Sequence, residues 1–201
     1  MNLAVFASGN GSNFEAIVKK IKKGEIKVNS VVLVCDQPGA FVIKRALKYN
    51  IKVILVSRRD FKNRDDFETA ITERLKNYRI NLIALAGFMR VLSPAFVKKY
   101  KNRIINIHPS LLPAFKGACA IKDAYDSGCL STGVTVHFVD KEVDHGPVIL
   151  QKEVKIDRAD NLVALEKKIH LLEHKLYPQA LKLFIAGKIR FKKGQVCFIN
   201  F

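Results

Sequence analysis

Asn106 and His108 are the pair of residues with the most distinctive chemistry in the chain. They lie two residues apart in the segment NIHPSLLP (106–113), which continues a short apolar run. Alternate residues of a strand project to the same face, so the amide and the imidazole can act side by side. An amide can stabilise a developing oxyanion while an imidazole moves a proton, as acyl transfer requires. The spacing predicts a catalytic pair; the alternative is a polar strand end in which His108 caps nearby carbonyls.

Asp144 is a candidate partner for that imidazole. It lies in the segment VDHGP (143–147), in the loop that follows the apolar run TGVTVHFV (132–139). A carboxylate there could orient the ring of His108 and raise its pKa above the ordinary value of ~6.5. On the pattern alone, a turn aspartate followed by a Gly-Pro break is the simpler interpretation.

A glycine-rich segment, SGNGSN (8–13), stands between the first predicted strand and the first predicted helix. Glycines let a backbone turn tightly beside a ligand, and a helix N-terminus offers free amides to an anion. Neither GxGxxG nor GxxxxGK[ST] is present, so a sugar phosphate fits this loop better than NAD or ATP. The alternative is a helix-capping turn in which Ser12 or Asn13 is the cap.

Other candidates are weaker. His137 lies within a predicted strand, where packing is the commoner role of a histidine. His170 and His174 have the i, i+4 spacing of zinc ligands, but no HExxH glutamate and no third ligand accompany them, so we predict no metal site and assign both to the surface or a pocket wall. The segment AGFMR (86–90) fits a strand-end turn with Phe88 and Met89 in the core.

The elements that must position these residues alternate between strand-like and helical patterns. Strands are predicted at 2–7, 30–35, 52–56, 81–86, 103–107, 132–139, 147–155, 188–191 and 195–199, and helices at 13–23, 40–49, 64–78, 93–100 and 161–186. Asp160 or Asn161 is the expected cap of the last helix. Continuous apolar strands that alternate with helices indicate a doubly wound, mostly parallel, Rossmann-like α/β sheet.

Length and composition limit the classes of protein. The 201 residues fit one domain, 1–201, with halves at about 1–108 and about 109–201, the second ending in the long helix. No apolar run reaches the ~20 residues of a membrane helix, and the N-terminus lacks a basic leader. Four scattered cysteines indicate reduced thiols, and hence a cytoplasmic protein. The net charge of +17 is spread over nearly every segment, which favours solvated lysine-rich faces over a nucleic-acid footprint.

Taken together, the motifs resemble those of the phosphoribosylglycinamide formyltransferases, within the folate-dependent formyltransferase group. The matching segments, in the family's order, are 8–13, the F-x-x-R of 61–64, LAGFMRVLSPAFV (85–97), NIHPSLLP (106–113), TGVTVHFVD (132–140), the D-x-GPVILQ of 144–151, and Glu173-His174 with Tyr177-Pro178. The NIHPSLLP segment with a downstream Asp-x-Gly is shared by the wider group. The SGNGSN segment singles out the glycinamide enzymes.

The resemblance implies an activity and a set of roles. The activity is transfer of the formyl group of 10-formyltetrahydrofolate, a co-substrate, to the amine of phosphoribosylglycinamide, directly through a tetrahedral intermediate and without a metal. The catalytic residues would be Asn106, His108 and Asp144, with Asn106 also contacting the folate. The substrate-binding residues would be Gly11, Ser12 and Asn13 for the phosphate and Glu173 for the ribose. The folate-binding residues would be Met89, Arg90, Val91 and Leu92 around the pterin and Arg64 near the folate tail. The first half of the chain would bind phosphate, and the second would carry the folate-binding and catalytic functions.

One segment departs from the family pattern. After Pro113 the family usually reads F-P-G-x-H-A, whereas residues 115–120 are FKGACA, with Cys119 in place of histidine. Three other functions stay open from the sequence: a methionyl-tRNA formyltransferase, a formyltetrahydrofolate hydrolase, and a basic module that binds anions or RNA. We expect small-molecule partners, no nucleic acid, no membrane, and a monomer or homodimer.

Overall fold

A computed structural model of the protein describes residues 1–192 and 195–199. Within those residues the strands are β1 (Asn2–Phe6), β2 (Ser30–Cys35), β3 (Lys52–Leu55), β4 (Leu82–Leu85), β5 (Ile104–His108), β6 (Ser131–Phe138), β7 (Val148–Lys155), β8 (Ile189–Lys192) and β9 (Gln195–Phe198). The helices are α1 (Ser12–Lys22), α2 (Phe41–Lys48), α3 (Arg64–Lys76), α4 (Pro94–Lys99), α5 (Ala120–Asp126) and α6 (Leu162–Ile185). The other residues of the predicted domain, 193–194 and 200–201, lie outside the described part.

The main sheet has the strand order β3-β2-β1-β4-β5-β6-β7. The chain moves outward from β1 to β3 and then returns to place β4 on the other side of β1, which is the order reversal of a doubly wound fold. The pairs β1–β2, β1–β4 and β2–β3 are parallel, and β6–β7 is antiparallel. The prediction of a doubly wound, mostly parallel α/β sheet is therefore confirmed. The chain forms two compact units, 1–105 and 106–201.

The first unit is built around β1. Leu3, Ala4, Val5 and Phe6 of this strand are fully buried, as expected for a central parallel strand that is covered on both faces. Backbone hydrogen bonds continue the pairing of the strands past their ends: Ala7 N donates to Val34 O and Ala86 N donates to Phe6 O. These bonds bring together the segments that follow β1, β2 and β4, at the edge where ligands bind in open α/β sheets.

The second unit contains the β6–β7 hairpin and the long helix α6. The register of the hairpin shifts between Val136 and His137: Val136 pairs with Leu150, and His137 pairs with Val148. Ile149 is thus an extra residue on β7, which makes a β-bulge beside His137. Helix α6 packs on β6 and β7. It begins at its predicted cap Asn161, whose Oδ1 accepts from Ala164 N at 2.8 Å.

Three sequence-based expectations differ from the structure. Neither Ser12 nor Asn13 is the cap of α1: the cap is Gly11, in the left-handed conformation with φ 76°, and there is no side-chain cap hydrogen bond. Met89 is not in the core but 69% exposed, whereas Phe88 is buried as expected. Helix α5 was not predicted, because its seven residues form only two turns and carry no side-chain cap. Within residues 1–192 and 195–199, no helix has the length and apolarity needed to cross a membrane.

Candidate active site

Asn106, His108 and Asp144 lie together in the second unit. Asn106 and His108 belong to β5, and Asp144 lies in the loop between β6 and β7. The Nδ1 atom of His108 is 3.3 Å from Asp144 Oδ2, and Asn106 Nδ2 donates to Asp144 Oδ1 at 3.4 Å. One carboxylate thus contacts both members of the pair on β5. The three side chains singled out by sequence form one cluster.

The His108 ring is buried and both of its nitrogens face acceptors. Nδ1 faces the Asp144 carboxylate, and Nε2 lies 2.8 Å from the carbonyl oxygen of Phe115. A carbonyl oxygen accepts only, so Nε2 must carry a hydrogen in this arrangement. The ring thus has one contact with the carboxylate and one hydrogen bond to the loop carbonyl. The alternative role as a cap of nearby carbonyls is also present, through Phe115.

The Asp144 side chain is mostly buried and contacts several hydrogen-bond donors. Burial by itself would raise the pKa of this carboxyl, but the bond with His137, the Gly117 N–H at 3.0 Å and the nearby His108 outweigh burial, so that the pKa lies below its ordinary value of 3.8. The carboxylate is consequently charged at neutral pH. Its loop returns tightly to β6 at Gly146, where a Cβ atom would overlap the carbonyl of Phe138. Only glycine fits there.

His137 is a member of the cluster that the sequence argument assigned to packing. It is 1% exposed, and its Nδ1 lies 2.8 Å from the Phe138 carbonyl oxygen, so Nδ1 is the protonated nitrogen. Nε2 lies 3.2 Å from Asn106 Nδ2 and 3.7 Å from Asp144 Oδ1. His137 therefore contacts both the amide of Asn106 and the carboxylate of Asp144. The available signal was a polar residue inside an apolar strand, since buried polar groups need partners.

The segment after His108 is fixed by Thr135 of β6. Thr135 Oγ1 donates to Ser110 O at 2.7 Å and accepts from Leu112 N at 3.1 Å. The side chain of Gln151 adds bonds to Thr135 Oγ1 and Leu112 O at 2.8 and 2.9 Å. These contacts position the loop whose Phe115 carbonyl and Gly117 N–H face His108 and Asp144. Cys119 is exposed at the end of this loop, directly before α5.

The glycine-rich loop lies in the first unit, between β1 and α1. Gly11 has φ 76°, a conformation that favours glycine, and a Cβ atom there would overlap the side chain of Val42. Both features require glycine at this position. Ser12 and Asn13 are the first two residues of α1, where backbone amides have no partner within the helix. Ser8 Oγ accepts from Met89 N at 3.0 Å, which places the loop beside the segment that follows β4.

The residues predicted to bind folate are also in the first unit. Met89 and Val91 are exposed, Leu92 is buried, and Arg64 is an exposed residue at the start of α3. Arg90 Nε donates to the buried carboxylate of Asp36 at 2.9 Å. The remaining nitrogens of its guanidinium are thus available to a further anion.

Glu173, the predicted ribose ligand, is buried on α6 in the second unit. His170 Nδ1 lies 2.9 Å from Glu173 Oε2, and this bond raises the pKa of His170. His170 is therefore a partner of a buried carboxylate. No group of three His, Cys, Asp or Glu side chains in residues 1–192 and 195–199 has a geometry that could hold a metal ion.

A doubly wound sheet with an amide, an imidazole and a carboxylate in hydrogen-bond contact is the framework of an α/β group-transfer enzyme. The family model described as "Formyl transferase" matches residues 1–181. The chain is 46% identical over 191 residues to the phosphoribosylglycinamide formyltransferase of Bacillus subtilis (strain 168), covering 95% of this chain and 98% of that protein. The chain belongs to the formyl transferase family.

Solved structures agree with this assignment. Glycinamide ribonucleotide transformylase 1 from Symbiobacterium toebii superposes with a TM-score of 0.96 at 35% identity, over 100% of this chain and 94% of that one. The corresponding enzyme from Geobacillus kaustophilus has a TM-score of 0.89 at 48% identity, over 92% and 98% of the two chains. The chain is also 38% identical to part of the trifunctional purine biosynthetic protein adenosine-3 of Bos taurus, spanning 98% of this chain and 20% of that protein.

Proposed function

We propose that this chain transfers the formyl group of 10-formyltetrahydrofolate to the amine of phosphoribosylglycinamide, a step of purine biosynthesis. The observation that carries the proposal is the contact of Asp144 with both Asn106 and His108. The relatives named phosphoribosylglycinamide formyltransferase, which match nearly the whole chain, support the choice of acceptor.

The proposed reaction is direct transfer with no acyl-enzyme. The amine nitrogen attacks the formyl carbon, and a C–N bond forms as the carbonyl electrons move onto oxygen. The Asn106 amide and the His108 imidazolium stabilise that oxyanion by donating hydrogen bonds. The attacking nitrogen loses a proton, the folate nitrogen gains one, and the bond between that nitrogen and the formyl carbon breaks. Charged Asp144 faces the His108 ring and orients it, and His108 is the nearby proton source for the leaving folate nitrogen.

The binding roles are assigned from the resemblance of the matching segments to those of the family. Gly11, Ser12 and Asn13 present the backbone amides at the start of α1 to the substrate phosphate, and Glu173 accepts from the ribose hydroxyls. Met89, Arg90, Val91 and Leu92 line the pterin site, Arg64 lies near the folate tail, and Asn106 contacts the folate as well as the oxyanion. Cys119 replaces a family histidine outside the catalytic cluster, so the proposed reaction does not use residue 119.

We assign the enzyme to the cytoplasm, as a monomer or homodimer that acts on small molecules and not on nucleic acid. The even distribution of its lysines favours small-molecule substrates over nucleic acid, because a nucleic-acid site concentrates lysines on one face. The excess positive charge would attract a phosphorylated acceptor and a folate that carries carboxylates.

A spectroscopic assay tests the function. The protein is mixed with 10-formyltetrahydrofolate, and release of tetrahydrofolate is followed by absorbance with phosphoribosylglycinamide, with methionyl-tRNA and with no acceptor. We expect release only when the acceptor is present. Release without acceptor would identify a hydrolase, release only with methionyl-tRNA a tRNA formyltransferase, and no release under any condition a binding module.

Replacing Asn106 with alanine should lower kcat by about a hundredfold, because losing one oxyanion donor costs ~3 kcal/mol of transition-state stabilisation. The unfolding transition should stay close to that of the wild type, since Asn106 is only half-buried. Steady-state rates with both substrates saturating, together with a denaturant melt, check this expectation. A kcat within threefold of wild type would remove Asn106 from the mechanism.

A further inference from the structure

The side chain of Arg45, on helix α2, forms hydrogen bonds with the glycine-rich loop. Its Nε donates to the carbonyl oxygen of Asn10 at 2.9 Å, and its Nη2 donates to Asn10 Oδ1, also at 2.9 Å. The remaining nitrogen, Nη1, forms an ion pair with Glu15 in the first turn of α1. A planar guanidinium thus bonds the backbone and the side chain of one loop residue at the same time, which the single ammonium of lysine cannot reproduce.

Glu15 places a negative charge next to the loop. Its carboxylate accepts from Tyr49 Oη at 3.0 Å as well as from Arg45. Burial alone would raise the pKa of Glu15, but the Tyr49 hydrogen bond and the charges of Arg45 and two lysines lower it below 4.5. An unpaired carboxylate in this first turn would repel a phosphate at the same helix N-terminus. Arg45 supplies the compensating charge.

Helix α2 contacts the loop at three consecutive residues. Val42 N donates to Gly9 O at 3.1 Å, Arg45 bonds Asn10, and the side chain of Val42 occupies the space beside Gly11. Val42 and Arg45 are three residues apart, so they lie on the same face of the helix. The loop conformation is therefore set by α2 as well as by its own glycines.

We propose that Arg45 is a positioning residue for the phosphate of the acceptor substrate. By fixing Asn10 and neutralising Glu15, it holds the loop so that the amides at the start of α1 converge on a phosphate. Arg45 itself acts through the loop and needs no contact with substrate. This inference rests on the proposed function, because it takes a sugar phosphate as the occupant of the loop.

The test is the Arg45→Lys variant, which keeps the charge and loses the planar fork. We expect its KM for phosphoribosylglycinamide to rise about tenfold, equivalent to about 1.4 kcal/mol. Its kcat and its KM for 10-formyltetrahydrofolate should not change, because the loss affects ground state and transition state equally. The inhibition constant of inorganic phosphate, measured against the acceptor, should rise by the same factor.

Two matched controls separate positioning from general stability. Tyr49→Phe removes the Tyr49–Glu15 bond but leaves both Arg45–Asn10 bonds, so it should shift the melting temperature without changing KM. Arg103→Lys alters an arginine of the same unit that bonds the Lys99 carbonyl oxygen at 2.8 Å, and it should leave all kinetic constants unchanged. The double variant Asn10→Ala with Arg45→Lys should lose less than the sum of the two single variants, because residues that bond each other are not additive.

The outcomes distinguish this inference from the proposed function. If wild-type protein fails to formylate the acceptor and phosphate does not inhibit it, the proposed function is wrong before any variant is made. If the wild type is active and Arg45→Lys keeps its KM for the acceptor, the function stands and the role of Arg45 is wrong. Equal rises of KM for both substrates, or additive effects in the double variant, would likewise overturn the positioning role.

Discussion

Replacing His108 with alanine is expected to lower kcat for formyl transfer by about a thousandfold, within the range that a positioned general acid or base contributes. The variant loses the only imidazole that contacts both the Asp144 carboxylate and the loop carbonyl of Phe115 among the described residues. The oxyanion then keeps Asn106 as its donor but has no nearby proton source. Single-turnover rates with saturating acceptor would measure the chemical step directly.

The matched control for this substitution is His145→Gln. His145 is an exposed histidine whose Nδ1 is 2.8 Å from Asp140 Oδ2, and it has no contact with His108. We expect kcat to stay within about twofold of wild type, since surface substitutions usually change energies by less than ~0.5 kcal/mol. A His108→Ala enzyme as active as the His145 variant would falsify the proposed mechanism.

The second large effect is expected for Asp144→Asn, with a fall in kcat between about a hundredfold and a thousandfold. The substitution keeps the size of the side chain but removes its negative charge. The carboxylate that carries this charge faces His108 Nδ1 and accepts a hydrogen bond from Gly117 N. A neutral amide does not titrate as the Asp144 carboxyl does, so the variant should also respond differently to pH. A pH profile of kcat that matches the wild-type shape would contradict this account.

Stability should depend on the same carboxylate. Because the folded pKa of Asp144 lies below its ordinary value of 3.8, its charge stabilises the fold above that pH, and the contribution is lost as pH falls through the folded pKa. The difference in unfolding free energy between wild type and Asp144→Asn should therefore shrink in acid, as denaturant titrations across pH would show. Asp126→Asn, at an exposed aspartate that pairs with Lys122, is the control and should leave kcat unchanged.

Much of the fold followed from local patterns. The strands β1, β2 and β4 were predictable because their apolar runs are continuous and end at turn residues, and α6 was predictable from its length and its Asn161 cap. Helix α5 was not, since two turns without a cap give no periodic signal. The cap of α1 was misassigned because a left-handed glycine can start a helix without any side-chain bond.

The site was predictable only in part. The spacing of Asn106 and His108 placed both on one strand, but no local signal ties Asp144 to His108 across 35 intervening positions. His137 was assigned to packing because its partners are tertiary: the amide of Asn106 comes from another strand. Arg45 was missed for the same reason, since it reaches Asn10 and Glu15 from a separate helix.

The extra residue Ile149 fixes the number of residues that the β6–β7 hairpin needs for its observed register. Removing it would restore regular pairing and move every residue beyond that point on one strand to the opposite face of the ribbon. The side chain of Gln151 on β7 would then turn away from Thr135 and Leu112, although no catalytic side chain had been altered. A single-residue deletion at this position could therefore disable an enzyme whose reacting side chains are all still present.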